Sequence, residues 1–167
     1  MAGKGVGRTR GRLKARDALR SVLVVVSLAA AACSRESGPG LGEIMTLTQM
    51  RHAKLWRAGT AENWPLAAYE LDELQEGFDD VIRFHPTHKD SPLPLSGLVP
   101  KIMAEPMRQV RHSVESKDRD GFVGAYDALT KACNSCHEAA NFGFNVVKRP
   151  DDSSWFSNQD FGAGARK

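Results

Sequence analysis

The sequence is short of everything that marks a strand. Nowhere do Val, Ile and Thr alternate with polar residues between Asn-Gly turns, so neither a sandwich nor a barrel has support. Long apolar runs are missing too. The run Val22 to Ala32 covers eleven residues and is interrupted by Ser27, whereas a bilayer-spanning helix needs about 20. Cysteine is scarce, three in 167 residues. No second Cys or His pair stands near Cys133 and Cys136 at the spacing of a zinc site; His85 and His88 are far away in sequence. No nucleophile or proton-transfer constellation stands out, so an enzyme is not expected.

What is present begins with a leader. Residues 1–20 carry Lys4, Arg8, Arg10, Arg12, Lys14, Arg16 and Arg20 against one acid, Asp17. A basic stretch, a short apolar stretch and four alanines before Cys33 form the pattern of a secretory signal peptide over residues 1–33. No two arginines are adjacent in it, which favours the general export route over the twin-arginine one. Cys33 follows small residues as the acylated cysteine of a bacterial lipoprotein does, although Ala30 stands where Leu is usual. Two outcomes stay open: lipidation of Cys33, or cleavage near Ala30–Ala32 and a soluble periplasmic protein. Membrane association is expected only through such an anchor.

The leader also holds the excess positive charge. The whole chain is formally +3, but residues 34–167 hold 16 basic and 19 acidic residues, a net charge of −3. Nucleic acid is therefore not an expected partner. Residues 34–41, rich in Ser and Gly, read as a flexible tether.

From there the period is helical. A first helix is expected over Glu43–Arg57, with Ile44, Leu47, Thr48, Leu55 and Ala58 facing inward, Met45, His52 and Trp56 flanking them, and Gly59 as the stop. A second is expected over Trp64–Phe84, capped by Asn63 with Pro65 in its first turn. Its apolar face is read as Leu66, Tyr69, Leu71, Leu74, Phe78, Val81 and Ile82. Glu70, Asp72, Glu73, Glu76, Asp79 and Asp80 fall on its other, solvated faces; the sharper reading of those acids is a docking patch for a basic partner. The Pro-rich loop 85–94 is expected to hold solvated histidines. A third helix, Leu95–Lys117, should kink or restart at Pro100 and Pro106. A fourth, capped by Asp118, should run from Arg119 to about Ala140. The tail, residues 143–167, is expected to be irregular and loosely packed.

The fourth helix carries Cys133-Asn134-Ser135-Cys136-His137 near its end. This is Cys-x-x-Cys-His, the attachment pattern of a c-type haem. Thiols three positions apart share a helix face and can each bond one vinyl group of a porphyrin. The histidine that follows is the usual axial ligand of iron. A dithiol redox pair would instead want strands and helices in alternation around it.

With the motif near the end of the fourth of four helices, the chain resembles the class II c-type cytochromes, or cytochrome c prime family, over about residues 42–142. The resemblance implies an all-α, antiparallel four-helix bundle with covalently attached haem c. It implies Cys133 and Cys136 as the thioether residues and His137 as axial iron ligand. In place of the basic residue common shortly after that histidine, this chain has Glu138-Ala139-Ala140. In that family the first helix supplies the far side of the haem. Here that side offers His52, the favoured sixth ligand, or Met45, seven residues earlier, as the alternative; an open site is the third reading. The expected function is one-electron transfer to a redox partner protein. The rivals are a gas-binding haem protein, for nitric oxide or carbon monoxide, and a non-haem structural lipoprotein whose cysteine pair is a clip.

Overall fold

The structure is a computed structural model that describes residues 38–151. The leader, Cys33 and the end of the tail lie outside the described residues. Four helices make up the fold: α1 (Leu41–Thr60), α2 (Trp64–Phe84), α3 (Leu95–Ser116) and α4 (Arg119–Ala139). No strand occurs among the described residues. α1 packs against α2 and α4, and α3 against the same two helices. Consecutive helices that pack side by side across short connections run antiparallel, so the four close into a bundle.

The caps explain where the helices start. The Asn63 side chain accepts a hydrogen bond from the Leu66 amide at 3.3 Å, with Pro65 tolerated in the first turn. Asp118 accepts from the Gly121 amide at 3.0 Å. The ends are less readable. α1, α3 and α4 each close with paired backbone bonds through a left-handed residue: Glu62 (φ 55°), Lys117 (φ 55°) and Asn141 (φ 65°). After α3, for example, Asp118 N–H bonds the Ser113 carbonyl and Lys117 N–H bonds that of Val114. Such a turn normally takes glycine.

Gly59, expected to end α1, lies inside it and is buried. A Cβ there would run into the ring of Phe122, so this glycine serves close helix approach. Pro100 and Pro106 do not restart α3, which the structure carries as one helix. Pro100 and Ser96, whose carbonyl loses its partner, are both exposed, so water can satisfy the orphaned group.

The core is built from Leu55, Leu71, Leu74, Val110, Phe122, Tyr126 and Leu129, all fully buried. Each contributes about 1.5–3 kcal/mol by leaving water. Two expectations about its edges are corrected. Leu47 is 43% exposed, at the margin of the α1 stripe. On α2, Tyr69 is 55% exposed while Glu70 is completely buried. At 100° per residue Tyr69 stands about 140° from Leu74 and Glu70 only about 40° from it. Angle decided the matter, and Lys54 of α1 supplies the counter-charge that Glu70 then needs.

Candidate cofactor site

The bundle holds a partly open cavity of about 350 Å³, within the range of small-molecule and cofactor sites. All four helices reach it. α1 contributes Met45, Thr48, Gln49 and His52; α2 contributes Leu74, Phe78 and Val81; α3 contributes Leu95, Val99 and Met103. From α4 come Cys133, Cys136 and His137. Spacings of three and four residues put these three on one helix face, and that face forms one wall.

Both thiols are free. Burial, reinforced by the neighbouring Cys136, pushes the Cys133 thiol up to about 12, and burial raises Cys136 as well. Apolar surroundings disfavour the thiolate. His137 has its Nδ1 2.6 Å from the Asn145 carbonyl. A carbonyl only accepts, so in the neutral ring Nδ1 carries the proton and Nε2 is the nitrogen with a free lone pair.

His52 is placed differently. It lines the cavity and is 3% exposed, yet both ring nitrogens are engaged within the protein. Nε2 lies 3.0 Å from the Thr130 hydroxyl and Nδ1 lies 2.9 Å from the Tyr126 hydroxyl. Burial holds its pKa down at about 4, so the ring is neutral at ordinary pH. To bind a metal through either nitrogen, it must release one of these partners. Met45, half-buried on the same cavity, offers a thioether with no such hydrogen bond to surrender. Met50 is 37% exposed and does not line the cavity.

Three features were missed by reading the sequence. His88, expected to be solvated in its loop, lines the cavity, with its ring edge-on to Phe142 at 5.4 Å. Only His85, bonded to the Pro39 carbonyl at 2.9 Å, stays outside the cavity lining. Residues 142–147 are irregular and largely exposed, as expected; what the sequence did not show is that Phe142, Asn145, Val146 and Val147 line the cavity. Lastly, half of the acids on α2 are compensated: besides Glu70 with Lys54, Glu73 pairs with Arg51 at 3.0 Å and Asp72 with Arg111 at 2.9 Å.

The donor set suits a c-type haem: two thiols and an imidazole on one wall of a largely apolar cavity, with a second possible donor on α1. Among the described residues no group of three or more His, Cys, Asp and Glu is arranged to hold a metal ion directly. No helix among the described residues is long and apolar enough to cross a membrane. No known protein family, no curated protein and no solved structure matches the chain.

Proposed function

We propose that this protein is an exported monohaem c-type cytochrome that carries single electrons, related to the class II type. One observation carries the reading: Cys133, Cys136 and His137 line one cavity of a four-helix frame, and the Nδ1 of His137 is committed to a backbone carbonyl. That bond orients an axial ligand and strengthens its donor nitrogen. Cys133 and Cys136 would hold haem c by thioethers and His137 would ligate its iron. Bound there, haem supplies a ferric–ferrous couple. The chain's own contribution is to bury the group, fix His137 and exclude water with Leu74, Phe78 and Val99.

Met45, which lines the same cavity, would be the second protein donor to the iron, because His52 is already bonded through both nitrogens. If Met45 does not bind, the same His52 geometry favours the gas-binding reading. The leader supports export to the periplasm, as a soluble protein or one anchored through an acylated Cys33. The electron partner is another protein.

The test is expression in a host that matures c-type cytochromes, followed by denaturing electrophoresis and haem staining. Wild type should stain, and Cys133→Ala with Cys136→Ala should not. Stain surviving in the double variant, or none in the wild type, refutes the assignment.

A further inference from the structure

After α4 the chain turns at Asn141 and comes back along the same helix. The pairings descend in order: Asn145 meets His137, Val147 meets Asn134, and Arg149 meets Asp127. Asn134 is the first variable residue of the Cys-x-x-Cys-His motif, and its amide engages the Val147 backbone from both sides. Val147 N–H donates to Oδ1 at 2.7 Å, and Nδ2 donates to the Val147 carbonyl at 2.8 Å. Further out, the Arg149 guanidinium bonds Asp127 and lies 4.4 Å over the ring of Trp56.

We propose that Asn134 is a positioning residue for His137: by clasping Val147 it holds the Asn145 carbonyl on Nδ1 and leaves Nε2 bare. The inference rests on His137 as the iron ligand. Its physical content is the short tether. Only Val146 separates Asn145 from Val147, so fixing Val147 at two points confines that carbonyl to a small volume. The effect on the ring is not neutral. Free histidine prefers its proton on Nε2, the nitrogen a metal needs unprotonated. The Asn145 carbonyl reverses that preference, and the hydrogen bond at one nitrogen sets what the other can do. A motif position with no part in covalent attachment thereby prepares the ligand three residues further along the same helix.

The test reads the tautomer directly. The full chain is made without haem, and its ring nitrogens are read by long-range proton–nitrogen NMR at about pH 8.5, above the range where histidine titrates. His137 should show the Nδ1–H form. Asn134→Ala should restore Nε2–H as the major form. Val147→Pro, which removes the N–H from the opposite side of the clasp, should do the same. In the haem-bearing protein both variants should raise the reduction potential, since an imidazole without its Nδ1–H bond donates less and favours ferric iron less. Should the haem-free chain lack helix by circular dichroism, the potential alone decides. An Asn134 with a merely structural role would lower the melting temperature and leave tautomer and potential unmoved; that result overturns the proposal. A tautomer switch in a chain that never stains for haem upholds the clasp and defeats the cytochrome reading instead.

Discussion

The hydroxyl of Tyr126 lies 2.9 Å from Nδ1 of His52 and 3.0 Å from the carbonyl oxygen of the same residue. One side chain of α4 thus meets both the ring and the backbone of one residue of α1. Thr130, a turn later, meets the other ring nitrogen, and the two rings stack at 4.5 Å. His52 is tied into the cavity wall by the same helix that carries the cysteines.

Variants at the two candidate ligands should therefore behave differently. Met45→Ala is expected to convert the haem from low-spin to high-spin and to open it to carbon monoxide. His52→Ala should stay low-spin and lose about 3 kcal/mol of stability through a cavity and lost hydrogen bonds. Absorption spectra with and without the gas decide this. Opening in His52→Ala alone would return the ligand role to His52.

The pH dependence has a definite sign. An unfolded chain protonates His52 near 6.5, while the folded one does so only near 4 because the ring is buried. Between those values the unfolded state binds more protons, so stability falls as pH drops from 6.5 toward 4 and is insensitive to this group above 6.5. The loss is about 3 kcal/mol. Urea unfolding at about pH 7 and about pH 4 should show that excess drop in wild type relative to His52→Gln. Equal drops would mean that the ring is reached by water.

The Lys54–Glu70 pair should respond asymmetrically. Glu70 is wholly buried, and its Oε2 has no hydrogen-bond partner, whereas 17% of the Lys54 side chain reaches solvent. Lys54→Met strands a buried carboxylate and should cost about 3–5 kcal/mol. Glu70→Leu leaves an ammonium able to reach water and should cost less. Combining Lys54→Met with Glu70→Leu should be close to neutral, or stabilising by about 1–4 kcal/mol. Denaturant midpoints of the four proteins form the cycle that measures it.

Lys117→Gly should stabilise the protein by about 0.5–1 kcal/mol, because Lys117 sits exposed at φ 55° where glycine is unstrained. A thermal melt reads this as a rise in midpoint. A fall would mean that the lysine side chain makes a contact worth more than the strain.

The frame was legible because its signals are periodic. α2 begins and ends at the expected residues, and the caps at Asn63 and Asp118 are those named from sequence. What failed was local. The ends of α3 and α4 fell within one residue of expectation, whereas Gly59 gave a false stop for α1, which runs on to Thr60. Tyr69 was assigned inward by its apolar character, although its angle on the helix pointed out. The site was half legible: Cys133, Cys136 and His137 announce themselves by spacing. His88 and the clasp by Asn134 do not, since a loop histidine and a motif filler acquire meaning only when the chain returns across them.

Burial at Cys133 has a consequence in time. A thiol reacts as its thiolate, and in the folded chain burial, reinforced by Cys136, pushes the Cys133 thiol up to about 12. On the proposed reading, folding and covalent loading would therefore compete. On that reading, a chain that folds first leaves that thiol poorly reactive, so haem would attach before the wall around Cys133 closes. If haem c is the cofactor, slowing folding should raise the yield of loaded protein, and hastening it should lower that yield.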